Sequence, residues 1–134
     1  MTTIESSEAL VNKSAQDVHN FLSDFRNFEK LMPEQVANWK ATEDECSFTI
    51  KGMATLGMKI KNKTPHSLIE IESSGKTPFG FGMKCMIADK QTQSSVKLTL
   101  EAELNPMLKM MAEKPLTNFL NLLVSKLVEI SSGI

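Results

Sequence analysis

The feature that most constrains the fold is a long run of alternating apolar and polar residues that leads into one long helical pattern. Between positions 36 and 104 apolar side chains recur at every second residue, as at Phe48 and Ile50. Such alternation predicts strands with one buried and one solvent-facing side, which is typical of an antiparallel sheet. Turn signals such as Lys51-Gly52 divide the run into six strands.

A single helix is predicted for the C-terminal segment. Asn105 is a favourable N-cap and Pro106 a favourable first helical residue. Pro115 is expected to kink the helix, which would be roughly 35 Å long at 1.5 Å per residue. One apolar stripe follows its length: Leu108, Met111, Leu116, Phe119, Leu120, Leu123, Leu127 and Ile130. A helix of this kind needs a broad apolar surface, which the sheet supplies.

The N-terminal segment predicts one more strand and a short helical region. Residues 3–11 have the composition of a strand, and Ser14 with Asp17 resembles a capping box. Helical spacing then continues to Pro33, as two short helices or one bent helix. The predicted fold class is therefore α+β: a single domain, residues 1–134, in which a curved seven-stranded antiparallel sheet wraps around the long C-terminal helix.

Composition excludes several classes of function. The 134 residues carry a net charge of −1 and include one arginine, Arg26, so nucleic-acid binding is not expected. No apolar run approaches the roughly 18 residues of a membrane span, and the polar, acidic start favours a cytoplasmic protein without membrane insertion. Cys46 and Cys85 lack metal-binding spacing and are expected to be reduced core residues. We predict no metal and no cofactor.

The order of elements resembles the helix-grip fold of the START-like (SRPBCC) superfamily, which includes pollen-allergen relatives, lipid-transfer START domains and polyketide cyclase-like proteins. The residues that carry the resemblance are 11–22, followed by Asp24 and Pro33. The chain departs from the pattern of that group at two positions: Lys13 replaces a residue that is usually small, and His19 replaces a residue that is usually tryptophan. The resemblance implies a cavity for an apolar ligand between the concave face of the sheet and the C-terminal helix. It does not imply catalysis.

The candidate ligand-binding residues are the inward-facing side chains of the strands and of the helix. Their alternation and the helical stripe give Trp39, Phe48, Met58, Ile60, Ile69, Ile71, Phe79, Phe81, Met83, Cys85, Leu98, Leu100, Leu108, Met111 and Phe119. The resemblance implies that the turns at Gly52-Met53 and Gly75-Lys76 lie beside the start of the long helix. Methionine suits adaptable surfaces, and the rim of the cavity is therefore expected at Met53, Lys76, Met107 and Met110. The alternative is that these side chains fill the interior completely.

The predicted function is the binding or transport of a small hydrophobic or amphipathic molecule, with no catalysis expected and an undetermined oligomeric state. One alternative is a cyclase or hydrolase that uses an inward carboxylate such as Glu8. Another is a protein-interaction module with a vestigial cavity. Polar side chains that could point inward are Ser6, Glu8, Asn38, Asn62 and Ser73. Both histidines, His19 and His66, are expected at the surface.

Overall fold

A computed structural model describes residues 2–75 and 77–132 and shows a curved antiparallel sheet packed against a long C-terminal helix. The strands are β1 (Thr2–Glu5), β2 (Ala9–Val11), β3 (Val36–Ala41), β4 (Glu45–Ile50), β5 (Ala54–Thr64), β6 (Leu68–Ser73), β7 (Phe81–Lys90) and β8 (Gln93–Ala102). The helices are α1 (Ala15–Leu22), α2 (Phe25–Phe28) with a 3₁₀ turn at Glu29–Leu31, and α3 (Pro106–Ser132). The α+β class and the helix-grip arrangement predicted from the sequence are confirmed.

The sheet order is β1-β8-β7-β6-β5-β4-β3, and β2 also pairs with β8. The described residues form eight strands instead of seven because the predicted first strand is interrupted after β1. Ser6 N–H donates to the carbonyl of Leu98, and Leu98 N–H donates to Ser6 Oγ, both at 2.9 Å. The serine hydroxyl thus takes the place of a backbone acceptor, and the chain resumes pairing with β8 at Ala9.

A bulge in β3 determines which of its side chains face the interior. The register against β4 shifts between Ala37 and Lys40, and Asn38 has a left-handed φ of 58°. A bulge of this kind reverses the facing of the residues that follow it. Trp39 therefore packs against the inward-facing Phe48, whereas Asn38 is exposed.

The helix α3 packs on β1, β2, β8 and the 3₁₀ turn through one apolar stripe. The buried stripe is Ala112, Leu116, Phe119, Leu120, Leu123, Val124 and Leu127. Met111, predicted to line the cavity, is instead 64% exposed. Residues four apart lie on the same face of a helix, so Ala112 continues the buried face of Leu116 and Leu120. Met111 lies outside this buried stripe. No helix in ranges 2–75 and 77–132 is long and apolar enough to cross a membrane.

Candidate ligand site between the sheet and the C-terminal helix

The strands and α3 bring most of the predicted ligand-lining residues into one apolar cluster. The buried members are Phe48, Met58, Ile69, Ile71, Phe79, Phe81, Met83, Cys85, Leu98, Leu100 and Phe119. Trp39 and Ile60 are half-buried against this cluster, and Leu108 is half-buried near the start of α3. Whether this cluster holds a ligand stays a prediction.

The interior of the cluster is closed in this conformation. Phe48 and Met83 are 1% and 2% exposed, and Ile69 and Cys85 have no exposed surface. A void large enough for water would leave part of the surrounding side chains accessible, so these residues are close-packed. A ligand could enter only if side chains or part of α3 moved.

Three aromatic rings form a column from β3 to α3. Trp39 and Phe48 have ring centroids 5.3 Å apart, and Phe48 stacks on Phe119 at 5.7 Å. These distances are typical of favourable aromatic pairs. The column links the half-buried Trp39 on the sheet to the middle of the helix, where Phe119 is 5% exposed.

Phe119 also lines a surface groove of about 260 Å³ between α3 and the sheet, which we call the seam groove. Its walls are Pro33, Gln35, Ile50, Lys51, Lys114, Pro115, Asn118, Phe119 and Leu122. The floor is apolar, and Leu122 is 39% exposed there. Two lysines stand at its walls, so the groove combines apolar surface with positive charge. Sequence reasoning missed Lys51 and Lys114 because they come from distant segments.

The first turns of α3, residues 106–114, are the least buried part of that helix. Met107, Met110 and Met111 are 70%, 86% and 64% exposed, and Ala112 is the one buried side chain of this segment. The following residue, Pro115, has no N–H to donate to the carbonyl four residues earlier. A helical segment with little buried surface and one missing hydrogen bond opens at a lower cost than the rest of the helix.

None of the described residues predicted to form a rim lines the seam groove. Met107 and Met110 lie on the exposed start of α3, and Met53 is half-buried against the core. Lys76 lies outside the described residues. Their role as a rim therefore remains a prediction.

The inward carboxylate that a hydrolytic mechanism would use is not found at Glu8, which is exposed. That expectation is wrong because β2 begins after Glu8, at Ala9. Asn62 is also exposed, and Ser73 Oγ accepts a hydrogen bond from Phe81 N–H at 3.2 Å. Across residues 2–75 and 77–132 the buried polar side chains are Ser6, His19, Ser94, Ser95, Thr99 and Ser131.

Both cysteines are buried and free, which confirms the prediction of reduced core residues. Burial raises the pKa of Cys46 to about 12 and the pKa of Cys85 to about 12. At neutral pH both side chains are therefore uncharged thiols, and a thiolate nucleophile is not available at either position. They act as small apolar packing residues.

Both histidines were expected at the surface, and the structure places one of them there. His66 is exposed, as predicted, but His19 is buried, with 7% of its surface exposed. The two rings lie edge to face, with centroids 6.1 Å apart. The fold thus places side by side two residues that no sequence pattern pairs.

A second depression, of about 490 Å³, lies on the opposite, solvent-facing side of the sheet and is called the outer groove. Thr99 on β8 lines this groove. The charged residues that border it lie on β5 to β8 and just after β8: Lys61, Glu70, Glu72, Lys84, Glu101 and Glu103. Mixed charges of this kind are typical of a solvated sheet face. The seam groove is the better candidate for an apolar ligand.

Comparisons with known proteins support the assignment of the fold. Neither a family model nor a curated protein sequence matches the chain. Among solved structures, a START superfamily protein from Mycobacterium smegmatis is 14% identical with a TM-score of 0.71, over 98% of this chain and 97% of that one. Norcoclaurine synthase from Thalictrum flavum, in complex with dopamine and hydroxybenzaldehyde, is 13% identical with a TM-score of 0.75, over 98% and 87%.

The di-domain ARO/CYC protein BexL, from the BE-7585A biosynthetic pathway, is 14% identical with a TM-score of 0.74. The match covers 96% of this chain and 46% of BexL. Likeness at these identities shows the fold alone. The chain therefore has the START-like helix-grip fold that its sequence resembles.

Proposed function

We propose that the chain binds a small amphipathic molecule, an acyl chain or a ring system with an anionic group, between the sheet and α3. The seam groove would be the mouth of the site. The observation that carries the proposal is the position of Phe119, which lines this groove and also stacks on the core residue Phe48. Movement of one aromatic side chain would connect the surface to the apolar interior.

The chemistry of the groove favours an amphipathic ligand over a purely apolar one. Ile50, Phe119 and Leu122 supply apolar contacts, while Lys51 and Lys114 supply ammonium groups at the walls. An anionic head would pair with these lysines and remain partly solvated, where each ion pair contributes little, up to about 1 kcal/mol. The apolar part of the ligand would therefore provide most of the affinity.

The volume of the groove requires some opening of the protein. Pockets for small molecules usually hold about 300–1,000 Å³, and the seam groove at about 260 Å³ is slightly smaller. Outward movement of residues 106–114 would enlarge the groove at Lys114, which belongs to its wall. This movement should cost little free energy because the segment buries a single side chain. Burial of about 300 Å² of ligand surface would contribute roughly 7 kcal/mol before the cost of association. Micromolar affinity, on the order of 10⁻⁶ M, is then expected.

A catalytic role finds less support in the described residues. The norcoclaurine synthase and BexL structures show that proteins named as a synthase and an ARO/CYC protein adopt this fold. In this chain, however, Glu8 is exposed and both thiols have a raised pKa. Binding without turnover is the proposal that these side chains favour.

We expect Asn118→Trp to weaken ligand binding because the indole would fill the seam groove. Isothermal titration with dodecanoate and with 1-anilinonaphthalene-8-sulfonate should give dissociation constants raised by about tenfold or more, a change of about 1.4 kcal/mol. Asn118 is exposed, so the fold should be retained, which circular dichroism can verify.

The matched control is Glu129→Trp, because Glu129 is also exposed and lies on the same side of α3. Eleven residues separate the two positions, which places the control about 16 Å along the helix from Asn118. Its binding should equal that of the unmodified chain. Equal binding by both variants, or no binding of either probe by the unmodified chain, would count against the seam groove.

A further inference from the structure

The fold brings together the chain's two histidines, which belong to separate elements. His19 lies on α1, and His66 lies in the turn between β5 and β6. Their ring centroids are 6.1 Å apart and their planes are at 88°. His66 has a left-handed φ of 62°, which is uncommon for a residue other than glycine. The turn thus holds an exposed imidazole beside a buried one.

The hydrogen bonds of Ser23 determine the tautomer of His19. Ser23 Oγ donates to the carbonyl of His19 at 2.5 Å and lies 3.3 Å from His19 Nδ1. A hydroxyl has one hydrogen to donate, so Ser23 Oγ must act as the acceptor toward Nδ1. Nδ1 therefore carries the ring hydrogen of the neutral imidazole, and Nε2 keeps a free lone pair.

His19 Nε2 is buried and has no hydrogen-bond partner among residues 2–75 and 77–132. A buried polar atom without a partner destabilises a fold by about 1–3 kcal/mol. The unprotonated nitrogen is also the form of imidazole that binds a metal ion, and a hydrogen bond from the other ring nitrogen typically orients a metal-binding histidine. His19 thus has the tautomer and the supporting hydrogen bond of a metal ligand.

We propose that His19 Nε2 and His66 together bind a divalent transition-metal ion of the kind that prefers imidazole, such as Zn²⁺, Ni²⁺ or Cu²⁺. With metal–nitrogen bonds of about 2.0–2.1 Å, two imidazoles on one ion have ring centres roughly 5.2 Å apart at a tetrahedral angle and roughly 6.4 Å apart at a linear one. The observed 6.1 Å lies within that range. Because His19 Nε2 is buried, the exposed His66 ring must rotate both to admit the ion to Nε2 and to direct its own nitrogen toward the ion.

The two histidines would occupy part of the coordination sphere. Residues 2–75 and 77–132 contain no group of three or more His, Cys, Asp or Glu side chains arranged for a metal. Water would fill the remaining positions, so the site should exchange its metal readily. The order of affinity should follow the general preference of nitrogen ligands, with Cu²⁺ bound more tightly than Zn²⁺.

The test is isothermal titration of the full chain with Zn²⁺ and with Cu²⁺. We expect one ion per chain, and we expect His66→Asn to weaken binding by about tenfold or more. Asparagine tolerates a left-handed φ, so this variant should fold. Ser23→Ala removes the acceptor that orients His19 and should weaken binding by about tenfold. Asn62→Ala, an exposed polar position on β5, is the control and should bind normally.

Long-range ¹H–¹⁵N spectra of the histidine rings give a readout independent of affinity. The metal-free protein should show His19 protonated at Nδ1, and added Zn²⁺ should shift the resonances of both rings together. Absence of saturable binding, unchanged binding by His66→Asn, or a His19 ring protonated at Nε2 would each overturn the proposal.

Discussion

We expect Phe48→Ala to lower the free energy of unfolding by about 3–5 kcal/mol, the usual cost of removing a fully buried aromatic ring. Phe48 is 1% exposed and contacts both Trp39 and Phe119. A domain of this size is stable by about 5–15 kcal/mol, so the variant should be close to unfolding at moderate temperature. Urea denaturation should show a lower midpoint with an unchanged slope.

Phe48→Leu is the matched control, because leucine keeps most of the apolar volume and should cost less than half as much. The alanine variant should also gain a void beside Phe119. Apolar voids stay dry and accept small apolar molecules, so benzene should raise the melting temperature of Phe48→Ala and leave that of the unmodified chain unchanged. A loss below about 1 kcal/mol for Phe48→Ala would contradict the close packing of the interior.

Gly57→Ala should destabilise the protein by about 2–3 kcal/mol, through a steric conflict in the sheet. Gly57 lies on β5, and its carbonyl accepts a hydrogen bond from Ser74 N–H at 2.9 Å. A Cβ at this position would overlap the carbonyl oxygen of Ser74. That oxygen belongs to the backbone, so the segment after β6 must shift, and the hydrogen bond is weakened.

Gly82→Ala is the control for backbone entropy and strand propensity. Gly82 also lies within a strand, β7, but a Cβ there would meet the Ile71 carbonyl oxygen at 3.6 Å, an ordinary contact. Its free energy of unfolding should change by about 0.5 kcal/mol or less. If both variants proved equally stable by urea denaturation, the close approach of Ser74 to Gly57 would be in doubt.

The sequence predicts the sheet well where one side of a strand is fully buried. Ile69, Ile71, Leu98 and Leu100 follow a strict period of two, and all four face the interior. The bulge at Asn38 could not be predicted, because its left-handed φ depends on pairing with β4. Local patterns describe a strand's faces but not the irregularities that tertiary pairing imposes.

The candidate site was only partly predictable for a related reason. The interior cluster follows from alternation, but the seam groove is assembled from the β4–β5 turn, the segment before β3 and the middle of α3. No local pattern relates Lys51 to Lys114. The burial of His19 did have a signal: it lies four residues after Ala15 and three before Leu22, on the buried stripe of α1.

Intermolecular nuclear Overhauser effects would show whether a ligand binds between the sheet and α3. Protein with ¹³C-labelled methyl groups would be saturated with dodecanoate. We expect contacts from the acyl chain to methyl groups of Ile50 and Leu122 in the seam groove and of Leu116 on the core-facing side of α3. Contacts confined to the Thr99 methyl group in the outer groove, or no contacts at saturation, would rule out a ligand site between the sheet and α3.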